Sequence, residues 1–446
     1  MSVAKNLTEG PIRRQLFNLA IPIMGTSFMQ MTYTLIDMAW IGRLGSESLA
    51  AIGAVGILTW VSNSLALLNK VGAEVSVAHS LGARNIHDAR LYASHNLSLS
   101  LLLSALWGAG LFLLARPLLG FYRLDAAITT EAVRFLRILI LGFPFVFLSF
   151  SFTGIHNAAG LSRIPFLVNG IGLVLNIVLD PLFIFVFGWG TSGAACATCL
   201  SQGVVCLAFA CHLRFRSRLL GGFPFLIRLQ SGYTRRILRL GLPVALLNAL
   251  FALINFCMGR TASLSGGHIG LMTLTAGGQM EAIAWNTSQG FSTALSAFTA
   301  QNYAAGRKDR LRVAYGTTLW MTGLFGLFCT FLFLQYGEEI FSLIVADAAA
   351  CASGGIFLRI DAYSMLFMML EITMQGFFYG VGRTLPPAIL SIGFNLIRIP
   401  LAIFLSSTSL GVTGVWWAIS LTSMAKGISS FLWFRLRRDR WLTVRG

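Results

Sequence analysis

The sequence predicts an all-α membrane protein, with twelve transmembrane helices in two pseudo-symmetric six-helix lobes. Three observations carry this. Charged residues make up 11% of the 446-residue chain and hydrophobic ones 56%, whereas a soluble domain carries about 25% charged residues. Apolar runs of membrane length recur from one end to the other, and about 20 helical residues cross a ~30 Å hydrocarbon core. Finally, four blocks of sequence return in the same order at nearly one offset.

The predicted spans lie near 15–39, 48–69, 92–115, 132–158, 164–188 and 193–213 in the first half. Those in the second lie near 236–260, 270–298, 313–335, 353–380, 386–407 and 412–434. Each is read as a helix, because a lipid-facing segment must satisfy its own backbone hydrogen bonds. The ten-residue alternating strands of a β-barrel are missing. Residues 1–11 are polar, and the first apolar run is of full membrane length, so no cleaved signal is expected there.

Basic residues set the expected orientation. Lys5, Arg13 and Arg14 precede span 1, Arg84 and Arg90 follow span 2, and Arg163 follows span 4. Arg214, Arg216, Arg218, Arg228, Arg235 and Arg236 crowd the central linker. Arg307, Lys308, Arg310 and Arg312 follow span 8, Arg383 follows span 10, and Arg435, Arg437, Arg438 and Arg440 fill the tail. The linkers near 189–192, 261–269 and 408–411 are poor in basic residues, with Arg260 at a border, and Glu338, Glu339 and Asp347 fall on that side. Both termini are therefore expected in the cytoplasm. The net charge of +17 is read as this bias rather than as a nucleic-acid footprint, since no aromatic–basic interleaving accompanies it.

The repeat divides the chain into 1–220, ending in the start of the basic linker, and 221–446. Residues 14–22 resemble 235–243, an offset of 221; 82–85 resemble 306–309, an offset of 224. Asn176 with 181–185 resembles Asn395 with 400–404, an offset of 219, and 190–193 resemble 411–414, an offset of 221. An even number of spans per half puts the pseudo-twofold axis along the membrane normal, the parallel-repeat arrangement of many carriers.

No Walker A motif, H-E-x-x-H or nucleophile elbow is present, so neither an ATP-driven machine nor an enzyme is expected. Cys196 and Cys199 form a lone C-x-x-C, read as small buried residues. Chemistry must then come from polar groups at membrane depth, each costing about 2.5–3.5 kcal/mol on insertion scales. Asp37 lies late in span 1. Asn176 and Asp180 are i and i+4 in span 5 and share a helix face, and Pro181 leaves a carbonyl free beside them. The second half has Ile399 where Asp180 stands in the first. Thr198 and Asn157 add oxygen ligands in the same half. Such a set suits Na⁺ or a shared proton, and composition does not choose between them. Glu281, Asp361, Glu371 and Gln375 are a possible pathway in the second half, and Arg398 needs a counter-charge. Met24, Met29, Met31 and Met38, with Met365, Met368, Met369 and Met374, suit either packing or a malleable substrate wall.

With Pro22, residues 37–45 and residues 300–306 in view, the chain resembles multidrug and toxic compound extrusion (MATE) transporters of prokaryotes, the DinF-like branch more than the NorM-like one. The likeness runs from about residue 7 to 433. It implies export of organic, often cationic and aromatic, compounds by alternating access, in exchange for H⁺ or Na⁺, with no other cofactor. It implies that Asp37, Asn157, Asn176, Asp180 and Thr198 hold the cation or proton, and that span 1 bends at Pro22. One departure is that Asn255 and Cys257 stand in span 7 where the NorM-like branch carries an acid, which favours the first lobe. The expected partners are small organic substrates and the lipid bilayer of the inner membrane, with no nucleic acid, and the chain is expected to work as a monomer. A lipid-linked oligosaccharide flippase of related fold is the alternative; it would need a large cationic groove, toward which Arg359 and Arg398 are the two candidates.

Overall fold

The structure, a computed structural model, describes residues 7–44, 46–120, 125–216, 222–342 and 348–442. Lys5, Arg218 and Asp347 lie outside these ranges, as do the side chains of Met38, Arg437, Arg438 and Arg440. Among the described residues every regular element is helical. They are α1 (Ile12–Gly42), α2 (Ser46–Gly82), α3 (Ile86–Gly120), α4 (Ala126–Ala158), α5 (Arg163–Pro181) and α6 (Gly190–Cys211). One run, Ser231–Ala304, follows and breaks at Gly267, giving α7 (231–266) and α8 (268–304). Then come α9 (Lys308–Ser342), α10 (Ala348–Gly380), α11 (Leu385–Ser406) and α12 (Val412–Leu442). Among the described residues, eight helices are long and apolar enough to cross a bilayer. Exposed side chains such as Leu113, Val186, Leu264 and Trp320 form the apolar exterior that lipid requires.

The helices outrun the spans read from hydropathy. α2 continues past residue 69 to Gly82 with Glu74, Ser76 and Ser80 buried on it. Backbone bonding continues wherever neighbours shelter it, while a hydropathy window registers only the apolar part. Glu338 and Glu339 likewise sit in the last turns of α9, not in a linker, just after a non-helical Tyr336 (φ −120, ψ 24). The linker expected over 261–269 shrinks to one residue. Gly267 takes φ 61 and ψ −150, a backbone state open to glycine and strained for other residues, so both flanking helices run up to it.

Two compact units result. One comprises Met1–Glu9 and Ile21–Ala245, the other Gly10–Ala20 and Leu246–Gly446. In the first, the opening turns of α7 lie against α2 and α3: Tyr233 donates to Asp88 Oδ1 at 3.1 Å, and the Tyr92 and Tyr233 rings meet at 4.8 Å. In the second, the opening turns of α1 are fixed by Arg310, which donates to Gln15 Oε1 at 3.1 Å and to the Gly10 carbonyl at 2.9 Å. The changeovers fall beside Pro22 in α1 and Pro243 in α7.

The repeat extends to packing detail. A Cβ at Gly154 would collide with the Lys70 carbonyl, and one at Gly376 with the Ser292 carbonyl; both residues of the second pair lie 222 positions beyond those of the first. A methyl group at either glycine would force the helices apart. In the second unit, Met365, Met369 and Met374 are fully buried and Met368 nearly so. Met365, Met368 and Met369 therefore pack a core with Phe357 and Trp416 rather than line a substrate wall. Cys196 and Cys199, expected to be buried, are free thiols and only half-buried.

Candidate functional site in the first unit

Three helices of the first unit bring polar groups to one buried place. α5 supplies Asn176 and Asp180, both without exposed surface. Asn176 Nδ2 donates to Asp180 Oδ1 at 3.1 Å, as their i, i+4 spacing dictates. Pro181, lacking an N–H, ends the α-helical pattern, and a π-helical turn, Leu182–Val186, follows. Such turns frequently mark functional positions. α1 supplies Asp37, within hydrogen-bonding reach of both Asp180 and Asn176. One turn earlier on the same face, Tyr33 lies against Asp37 and Asp180, with its hydroxyl beside that of Thr198 from α6.

Four buried oxygens in this cluster, Tyr33 Oη, Asp37 Oδ1, Asn176 Oδ1 and Asp180 Oδ2, lie near polar neighbours yet none makes a hydrogen bond of ordinary geometry. Orphaned buried polar atoms cost about 1–3 kcal/mol each, more when charged. Two carboxylates side by side cannot both stay ionised in such a place without a compensating positive charge. The donor set is all oxygen, which suits a hard cation and a proton and does not suit a soft metal. Among the described residues no group of three or more His, Cys, Asp or Glu side chains could hold a metal ion.

Asn157 is not brought to this cluster. It lies at the last turn of α4, next to the tight turn that opens α5, whereas Asp180 closes the 19-residue α5. About 25 Å of helical rise separates the two ends. Its neighbour His156 instead pairs with His212 at 3.0 Å. Pro22 also lies away from the acids, about four turns before Asp37 on α1. α1 stays helical through it, and Thr26 donates to the Pro22 carbonyl at 2.9 Å.

The second unit holds a polar network of another kind. Glu371 accepts from Gln375 at 2.5 Å and Ser391 at 2.6 Å, and pairs with Lys426 at 3.0 Å. Arg398 donates to Thr422 at 2.9 Å and to Ser423 at 3.0 Å, with Glu281, Glu371 and Asp361 near enough to supply its counter-charge. Ser364 donates to Asp361 Oδ1 at 3.0 Å. Basic side chains are thus built into this network, whereas among the described residues none joins the first-unit cluster. Ile399, at the place matching Asp180, packs against the apolar core. Tyr33 and Lys426 were not singled out from sequence. Helical spacing from Asp37 would have found the first, and a lone base in an apolar span the second.

The family profile described as MatE matches residues 22–182 and 243–404, one copy in each half. The probable multidrug resistance protein YpnP of Bacillus subtilis is 26% identical over 99% of this chain and 98% of its own length. The probable multidrug resistance protein NorM of Thermotoga maritima is 25% identical over 91% of this chain and 88% of its own. A solved multidrug resistance MATE family transporter in an outward-facing conformation matches with a TM-score of 0.92 and 26% identity, covering 100% of both chains. With the profile found twice and whole-length likeness in both sequence and fold, the chain belongs to the MatE family.

Proposed function

We propose that the protein is a secondary active multidrug exporter of a prokaryotic inner membrane, expelling organic, often cationic and aromatic, compounds by antiport with H⁺ or Na⁺. The observation that carries the coupling part is the cluster of four buried oxygens without a hydrogen bond of ordinary geometry, on Tyr33, Asp37, Asn176 and Asp180. Export of drugs is supported by family membership and by relatives described as multidrug resistance and export proteins. The distribution of arginine and lysine supports a cytoplasmic location for both termini.

Coupling requires the ion to bind two conformations unequally, since tight but equal binding shifts nothing. In this reading the ion satisfies the orphaned oxygens and draws α1, through Asp37 and Tyr33, toward α5 and α6. The compliant point is Pro22, whose missing N–H leaves the Asn18 carbonyl without its helical partner. Bending there moves α1 against its own unit and lowers the affinity for substrate, which is released. The charge-compensated second-unit network serves as scaffold.

The test is dye efflux from proteoliposomes driven by a pH gradient or a Na⁺ gradient applied separately. Wild-type protein is expected to respond to one of them, with Asp37→Asn and Asp180→Asn each abolishing the response. Wild-type rates in both variants would overturn the proposal. The flippase alternative gains no support: Arg398 is enclosed by Thr422, Ser423 and acids, and Arg359 stands apart and exposed.

A further inference from the structure

Arg116, Arg134 and Arg137 are among the arginines that depart from the pattern by which basic residues mark the cytoplasmic side. Within the first unit, the α2–α3 turn near Arg84 lies at one end of α3. Arg116 lies near the other end, with the start of α4 beside it. Arg134 and Arg137 follow on α4, and all three are exposed. They meet in a cleft of about 360 Å³, whose walls include Phe112, Ile138 and Leu141.

Their spacing explains the convergence. Phe112 and Arg116 are i and i+4 on α3; Arg134, Arg137 and Leu141 follow at i+3 and i+4 on α4. Two helical stripes thus face each other. The Arg137 guanidinium lies over the Phe112 ring, 4.7 Å from its centre, which fixes its plane and leaves the N–H fork open. Among the described residues no acid lines the cleft. The acid nearest in sequence, Glu131, is committed elsewhere, accepting from Ser48 at 3.0 Å and Thr191 at 2.8 Å.

Depth makes this costly without a ligand. Arg137 lies about 16 Å of rise into α4, a helix long enough to extend beyond the hydrocarbon core at both ends. The surface around it is apolar, with Leu113 78% and Leu141 71% exposed. An arginine on such a lipid-facing surface needs an anion at headgroup level. A soluble anion would gain nothing from the apolar walls. A lipid supplies both parts, a phosphate for the guanidinium forks and acyl chains for Leu113 and Leu141.

We propose that Arg116, Arg134 and Arg137 form a binding site for the phosphate headgroup of one anionic phospholipid, in the leaflet opposite the Arg84 turn. The experiment is thermal unfolding of the detergent-purified protein, titrated with phosphatidylglycerol, phosphatidylcholine or inorganic phosphate. Native mass spectrometry counts retained lipid in parallel. Wild-type protein is expected to gain stability and retain one phosphatidylglycerol, with little response to the other two probes. The double variant Arg134→Gln/Arg137→Gln is expected to bind phosphatidylglycerol at least about ten-fold more weakly, the equivalent of one lost charge-assisted contact. If that variant does not purify in folded form, Arg137→Lys, which keeps the charge and loses the fork, is expected to weaken the same titration by a smaller factor. An unchanged response in the double variant, an unchanged response in the lysine variant where that one is used, an equal response to phosphatidylcholine, or saturation by inorganic phosphate alone would overturn the proposal.

Discussion

When ionised, Asp37 and Asp180 can accept hydrogen bonds but not donate them, and the orphaned oxygens around them define what the cluster lacks. Tyr33→Phe removes one of those oxygens without removing a charge. It is expected to weaken ion-driven efflux several-fold while leaving the unfolding temperature within a few degrees, measured by dye efflux and thermal unfolding on the same preparation. The second unit responds differently, because Glu371 is already paired. Lys426→Met strands a buried carboxylate and is expected to cost about 3–5 kcal/mol of stability. Glu371→Gln with Lys426→Met should recover most of it. Denaturation midpoints of both variants check this, and additive losses would argue against the pairing. The pair Asn176 and Asp180 was legible in sequence because i, i+4 on a helix is a rigid rule. The position of Asn157 was not legible, because membership of one lobe says nothing about height: its helix ends on the side where α5 begins, and the acids gather where α5 ends.

At the scale of elements, the sequence showed where helices cross the membrane and hid where they stop. Hydropathy falls at the bilayer edge, but the helical hydrogen-bond ladder of α2 and α9 does not. The break at Gly267 looked like a nine-residue linker for the same reason. Gly267→Ala is expected to cost about 1–2 kcal/mol, because alanine resists a positive φ, and should lower the unfolding temperature without altering ion preference. Pro22 has the opposite character. Pro22→Ala restores a helical donor to the Asn18 carbonyl and favours the unbent helix. Efflux should fall while the unfolding temperature holds or rises; a fall in both would assign Pro22 a structural role only. The α10 methionines taught a limit of composition: flexible side chains suit walls and cores alike, and burial decided for the core.

The whole molecule is a duplicated frame used unequally. The repeat seen in four sequence blocks extends to glycines that meet helix carbonyls at matched positions, Gly154 on Lys70 and Gly376 on Ser292. Chain order alone did not reveal that the first turns of α1 pack with the second unit, nor that those of α7 pack with the first, since helix partners are chosen by tertiary contact. Within this frame the first-unit cluster keeps two carboxylates with no base among the described residues beside them, and the second unit fills its acidic network with Lys426 and Arg398. The central claim is that ion coupling resides in the first unit. It is tested most directly by gradient-driven dye efflux in proteoliposomes, comparing Asp180→Asn with the Glu371→Gln/Lys426→Met double variant. The account predicts that Asp180→Asn loses all response to the driving gradient while the double variant keeps it. Retained coupling in Asp180→Asn, with coupling lost in a folded double variant, would contradict it.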